Sequence, residues 1–116
     1  MSFERELILN IKGTSYPVEF PNIGKFQKIE SLKQLLSNGL YSGMMQTSTI
    51  SSSESLDMID MEAYFTVLIP KLMKDLKPSF SELGLEDYME LKAIYREKFL
   101  PWWINILSLL NPKTDD

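Results

Sequence analysis

The sequence predicts an α+β fold in which an N-terminal β-hairpin packs on a mainly α-helical body. Over residues 3–20, apolar and polar residues alternate, which is the periodicity of a half-buried strand. From residue 22 to residue 110 the apolar residues instead recur every three or four positions, as on one face of a helix. A chain of 116 residues fits one domain with its own core, so we expect residues 1–116 to form a single domain.

The hairpin is predicted from two alternating runs separated by a short break at residues 13–15. The apolar face of the first run holds four residues, and that of the second run holds three: Phe3, Leu7, Leu9 and Ile11, then Tyr16, Val18 and Phe20. Pro17 has no N–H to donate to a neighbouring strand, so we expect the second strand to be short or to lie at an edge.

Three helical regions are expected after the hairpin. The first begins near Asn22 and stops at Gly39, a residue type that commonly ends helices. The second runs from about Leu56 to Leu76, with a kink or break at Pro70. The third starts near residue 85 and continues to residue 110 across Pro101, which predicts a long kinked helix.

The segment QTSTISSSES, residues 46–55, interrupts the helical pattern. Seven of its ten residues are serine or threonine. Such a composition is typical of a loop or linker and is too polar for a core. The sequence therefore predicts a mobile loop at residues 46–55.

Composition argues against several classes of function. The net charge is −4, and the twelve Lys and Arg residues are scattered among sixteen acids, whereas a nucleic-acid binder usually carries a basic stripe. The chain has no cysteine and no histidine, which removes disulfides, thiolate ligands and the commonest general base. No nucleophile, P-loop or dinucleotide motif is present. We therefore expect a non-enzymatic protein without cofactor or bound metal, located in the cytoplasm.

A membrane role is also not expected. The start of the chain is acidic and alternating, unlike a signal peptide. The apolar stretch from Phe99 to Leu110 has twelve residues, so as a helix it would reach roughly 18 Å, against about 30 Å of hydrocarbon. It also lacks the basic polar face of helices that lie on a bilayer.

Acidic side chains crowd the starts of the second and third predicted helices. Asp57 and Asp60 lie three residues apart, a spacing that can place two carboxylates on one cation. Nothing else in the sequence completes a site for Mg²⁺ or Ca²⁺. We interpret the acids as charges that offset the helix dipoles.

Two groups of residues are candidates for binding a protein partner. Four methionines flank the serine-rich segment: Met44, Met45, Met58 and Met61. Methionine packs adaptably and recurs on promiscuous binding surfaces, although irregular core filling is its more common use.

The second candidate is the adjacent pair Trp102 and Trp103. Neighbouring helical residues point about 100° apart, so the two side chains cannot occupy the same face. Either one of them is exposed at an interface, where tryptophan is enriched, or the hairpin and another helix cover both sides.

Several segments together resemble those of the small tail assembly chaperones of long-tailed bacteriophages. They are the opening ELILNIKGTSYPVEF, the helix end LSNGLYSGMM, the run IDMEAYFTVLIPKL and a late PWW before a short tail. The resemblance implies a non-enzymatic assembly factor of the host cytoplasm that binds tape measure protein, keeps it soluble and helps to recruit tail tube subunits. That family has no catalytic residues to carry over.

The residues leave two alternatives open. One is a structural subunit of a virion or another large assembly, and the other is a small regulatory or inhibitory protein that binds one host enzyme. The oligomeric state is likewise open, a homo-oligomer included.

Overall fold

A computed structural model describes residues 5–76 and 79–110. It has an N-terminal antiparallel hairpin and a mostly helical body, which confirms the predicted α+β class. The strands and helices are β1 (Leu7–Ile11), β2 (Thr14–Val18), α1 (Ile23–Leu36), α2 (Tyr41–Met45), α3 (Ile50–Leu68), α4 (Pro70–Asp75), α5 (Leu85–Ile94) and α6 (Leu100–Leu110). A 3₁₀ turn (Phe80–Glu82) precedes α5, and a π-helical turn (Tyr95–Phe99) joins α5 to α6.

The hairpin turns at Lys12 and Gly13. Both residues have positive φ, 51° and 82°, the conformation of the two-residue turn that matches strand twist. β2 therefore starts at Thr14, two residues earlier than the predicted break allows. The apolar face is as predicted where the structure describes it, and its buried members are Leu9, Ile11, Tyr16 and Val18. Phe3 lies outside the described residues.

Helix α1 begins and ends at the predicted signals. The side chain of Asn22 accepts a hydrogen bond from the backbone N–H of Lys25 at 2.8 Å, a standard N-cap. After the last turn, Asn38 and Gly39 have φ of 55° and 79°, and the N–H of Gly39 donates to the carbonyl of Gln34 at 2.8 Å. This left-handed end reverses the chain and leads directly into the short helix α2.

The prediction of a mobile loop over residues 46–55 is wrong for residues 50–55, which form the start of α3. The side-chain oxygen of Thr49 accepts from the N–H of Ser52 at 3.0 Å and caps the helix. The serines that follow occupy the first turns, where their hydroxyl groups compete least with the helix. Composition indicated a loop because serine is common both in loops and at helix starts.

Helix α3 is the central element and ends before Pro70. Its C-terminal half is buried on several sides, at Met61, Ala63, Tyr64, Phe65, Val67 and Leu68. The predicted break falls at Ile69, and Pro70 then occupies the first position of α4, where its missing N–H costs nothing. A hydrogen bond of 2.9 Å from the N–H of Glu19 to the carbonyl of Leu68 ties the hairpin to this break.

The long C-terminal helical region changes its winding between α5 and α6. Just before Pro101, the N–H of Leu100 donates to the carbonyl of Tyr95, five residues back. A π turn of this kind widens the helix. Pro101 follows in the second position of α6 and has no N–H that would need a partner in the preceding turn.

Candidate functional site

The structure buries both tryptophans. Trp102 is 5% exposed and Trp103 is 3% exposed. The ring of Phe20, after β2, lies 6.2 Å from Trp102, and the ring of Phe26 on α1 lies 5.1 Å from Trp103. The hairpin side and a helix thus cover one tryptophan each, which is the second of the two arrangements considered from the sequence.

These tryptophans belong to a continuous aromatic core. Phe99 stacks on Trp103 at 5.8 Å between ring centroids, and Tyr64 lies 5.0 Å from the same tryptophan. Phe65 meets Phe99 edge-on at 5.6 Å. Offset and edge-on pairs of this kind add to the stabilisation from burial. The placement of Trp102 and Trp103 on a partner-binding surface is therefore corrected, because in this fold they hold α6 against α1 and α3.

The four methionines separate into core and surface. Met61 is completely buried and packs in the core, so its assignment to a binding surface is wrong for this fold. Met44 is half-buried on α2, whereas Met45 is 63% exposed. Met58 is 39% exposed and lines a cleft. Met45 and Met58 thus remain the most accessible of the candidate methionines.

The acids at the start of α3 form ion pairs with α5 and the π turn. Glu54 accepts from Lys92 at 2.6 Å, and Asp57 pairs with Arg96. Because α3 begins earlier than predicted, neither acid lies in its first turn, so the helix-dipole interpretation is wrong there. In α5 the first turn does hold two acids, Glu86 and Asp87, the placement that the interpretation requires.

No group of acidic side chains within residues 5–76 and 79–110 is arranged to hold a metal ion. Among the helices that the structure describes, none is long and apolar enough to cross a membrane.

A buried polar cluster joins α1, α2 and α3 around Lys33, which is only 7% exposed. The Lys33 ammonium donates to the Tyr64 hydroxyl at 3.1 Å and to Glu30 at 3.2 Å, and it lies 3.9 Å from Asp60. Tyr41 on α2 donates a hydrogen bond to the same Asp60 carboxylate. Burial raises the pKa of Asp60, and the Tyr41 hydrogen bond and the Lys33 charge act in the opposite direction.

The cluster around Lys33 has a structural role that we did not predict from the sequence. Lys33 follows Ile29 by four residues, so it continues the apolar stripe of α1. A lysine at such a position is a usable sign of a buried charge with partners, and we did not predict it. The cluster attaches α2, which has no buried residue of its own, to the helical body.

An apolar cleft lies between α1, α3, the 3₁₀ turn and α5, and we call it the interhelical cleft. Its volume is about 340 Å³. The described residues of its lining are mostly apolar and comprise Leu36, Met58, Ile59, Glu62, Phe80, Ser81, Leu83, Leu85 and Tyr88. Leu85, at the first position of α5, is 76% exposed at its edge. The cleft thus combines accessible apolar side chains with a preformed concave shape.

The wall of the interhelical cleft holds two polar groups without a partner in the described chain, the Glu62 carboxyl and the Tyr88 hydroxyl. Burial raises the pKa of the Glu62 carboxyl, and no described residue forms an ion pair or hydrogen bond with it. The Tyr88 hydroxyl is buried without a hydrogen-bond partner in the described chain, and burial raises its pKa to about 12. Sequence reasoning missed this site except for Met58. The sequence does hold a signal that Leu85 is exposed. Leu85 lies at the predicted helix start and outside the apolar stripe that contains Tyr88 and Leu91.

A second cleft, of about 260 Å³, lies beside the end of the hairpin. It is lined by apolar residues of α4 and α5 together with several charged groups. Two of those groups already pair with each other, since Lys12 donates to Asp87 at 2.8 Å. Tyr16 donates to Asp75 at 2.7 Å in the same wall. The charged groups of this second cleft therefore have partners within the chain, whereas Glu62 of the interhelical cleft has none among the described residues.

Comparison of the chain with protein-family models, with curated proteins and with solved structures found no match in any of the three.

Proposed function

We propose that this protein is a non-enzymatic assembly chaperone that covers apolar segments of tape measure and tail tube proteins during phage tail assembly in the host cytoplasm. The observation that carries the proposal is the interhelical cleft, whose accessible apolar residues Met58 and Leu85 face solvent on a folded domain. A preformed apolar cleft of this kind suits reversible cover of a partner's apolar side chains. The sequence resemblance to phage tail chaperones supplies the identity of the partner.

The acidic surface supports the same function. A net charge of −4 keeps a complex soluble while apolar segments are covered. The position of the proposed surface differs from the expectation drawn from Trp103 and Met44. Trp103 is core, so its substitution by serine would destabilise the domain and would not report on binding alone.

Co-expression tests the proposal directly. A tape measure protein expressed with this chain should be more soluble than the same protein expressed alone. Leu85→Ser and Met58→Ser should reduce that soluble fraction, because each removes accessible apolar surface from the cleft. Ile23→Ser is the matched control, since Ile23 is 78% exposed but lies thirteen residues from Leu36 along α1, about 20 Å away. No rescue by the wild-type chain would reject the chaperone proposal.

One observation favours a structural subunit as the second candidate. The end of α6 exposes four large apolar residues, Ile104, Leu107, Leu109 and Leu110. In a permanent assembly, such a helix end would be covered by a neighbouring subunit. Mass spectrometry of purified particles beside infected-cell lysate distinguishes the two, since a chaperone is present in the lysate and absent from the particle. Capture of a single host enzyme instead would favour a regulatory protein.

A further inference from the structure

We propose that the interhelical cleft binds a basic amphipathic helix of the protein partner, with apolar side chains inside the cleft and a lysine or arginine paired with Glu62. The inference rests on the proposed protein-binding function and adds the chemistry of the segment that is bound. It follows from the shape of the cleft, from its single carboxylate and from the charges at its edge.

The shape of the cleft suits side chains of a helix. α3 contributes Met58 and Ile59 to one wall, and α5 contributes Leu85 and Tyr88 to the other. A volume of about 340 Å³ is at the low end of ligand sites, which run from about 300 to 1,000 Å³. It admits one or two large apolar side chains, such as those that a helix presents three or four residues apart.

Glu62 is the only charged residue among the described residues that line the cleft. Burial has removed part of the hydration of its carboxylate, and no described residue provides a compensating charge or hydrogen bond. A partly desolvated carboxylate without a partner gains more from an added cation than a fully hydrated one does. The cleft therefore favours a lysine or arginine among the residues that enter it.

The edge of the cleft carries negative charge, as Glu62 does. Glu82 ends the 3₁₀ turn and Glu86 lies in the first turn of α5, so each adjoins a lining residue in sequence, and both are exposed. Within residues 5–76 and 79–110, the lining contains no lysine or arginine. In a symmetric dimer formed through this cleft, Glu62, Glu82 and Glu86 would lie against the same carboxylates of the second copy. Charge complementarity thus selects a basic partner over a homodimer.

Two synthetic peptides of identical length and leucine spacing test the proposal. One carries lysine and the other glutamate at its polar positions, and each is labelled with fluorescein for anisotropy titration with the full chain. We expect the basic peptide to bind at least about tenfold more tightly than the acidic peptide. Glu62→Gln should weaken binding of the basic peptide by roughly three- to tenfold, because it keeps the side-chain shape and removes the charge. Leu85→Ser should weaken it by a similar factor.

Two control variants separate the cleft from the general surface. Ile23→Ser removes an apolar side chain with similar exposure to that of Leu85, at the other end of α1. Glu97→Gln removes an exposed carboxylate from the π turn, eleven residues beyond Glu86. Both should leave the affinity for the basic peptide unchanged within about twofold, because neither side chain lines the cleft.

Equal affinity for the two peptides would overturn the proposal, as would basic-peptide binding that Glu62→Gln leaves unchanged. A homodimer in light scattering that Leu85→Ser converts to monomer would also overturn it, by showing that a second copy occupies the cleft. These outcomes differ from failure of the proposed function. If co-expression still rescues the tape measure protein and Leu85→Ser abolishes the rescue, the chaperone proposal stands although the basic segment is rejected.

Discussion

At the scale of single residues, two charged side chains are wholly or partly buried, and they differ in whether they have polar partners. Lys33 is buried, and its ammonium has four polar neighbours. Glu30, Tyr64 and Asp60 have an oxygen within 4 Å of it, and it lies over the ring of Tyr41. Glu62 is enclosed in part and has no such neighbour among the described residues. The surroundings of Lys33 are typical of a structural cluster. Those of Glu62 are typical of a residue in a binding site.

Lys33→Met should destabilise the protein by about 1–3 kcal/mol, because it leaves the Asp60 carboxylate partly buried without its cation. Urea unfolding followed by circular dichroism measures the loss. Adding Asp60→Asn should restore part of it, since the uncompensated charge is then absent. Lys28→Met is the control, because Lys28 is exposed on the same helix and should change stability by no more than about 0.5 kcal/mol. Equal losses at the two positions would contradict the role of the cluster.

Glu62→Gln should stabilise the isolated chain at neutral pH by less than about 1 kcal/mol, because the carboxylate keeps part of its hydration. The folded state raises the Glu62 pKa, so it binds more protons than the unfolded state in the interval between the two pKa values. Wild-type stability from this group therefore falls as pH rises through that interval. The advantage of the variant should vanish below about pH 4, where glutamate is protonated in the unfolded chain as well. A gain that is constant from acid to neutral pH would refute the desolvation of Glu62.

At the scale of secondary-structure elements, local signals decide where helices begin and end. Asn22 caps α1, Thr49 caps α3, and Pro70 starts α4. Gly39 reverses the chain after α1 with positive φ. α6 is different, because it continues directly from the π turn, and its two buried tryptophans, Trp102 and Trp103, pack on different neighbours.

Two glycines four residues apart provide an element-scale test. Gly39→Ala should destabilise the protein by about 1 kcal/mol, since a φ of 79° strains any residue with a Cβ. Gly43→Ala should instead stabilise it by up to about 1 kcal/mol, because Gly43 lies inside α2 with open space around the new methyl group. Thermal unfolding of both variants beside the wild type gives the two signs. Stabilisation by Gly39→Ala would mean that the left-handed end of α1 is not required.

At the scale of the whole molecule, the aromatic core connects the two ends of the chain. Phe20 and Phe26, near the start, pack on Trp102 and Trp103, near the end. Tyr64 and Phe65 of α3 pack on Phe99 and Tyr95 of the π turn. Contacts between residues so distant in sequence make the hairpin and α6 parts of one folding unit.

Tryptophan fluorescence tests this arrangement, since both tryptophans lie in α6. Emission should be blue-shifted and independent of protein concentration, with light scattering reporting the mass of the species in parallel. It should redden only when denaturant unfolds the whole chain, in step with circular dichroism, because the two rings are enclosed by the monomer itself. Emission that reddens on dilution would show instead that a second subunit covers the tryptophans.

The sequence by itself determined the class of the fold, the hairpin face and most helix ends, because those depend on periodicity and on single residues such as Asn22, Gly39 and Pro70. It did not determine the start of α3, since serine serves both loops and helix caps. Only the tertiary structure decided that Trp102, Trp103 and Met61 are core, that Lys33 is enclosed, and that Met58 meets Leu85 across a cleft. The physical reason is that periodicity shows which face of a helix is apolar, whereas exposure depends on which faces meet in space. That choice is made by packing between residues that are far apart in the chain.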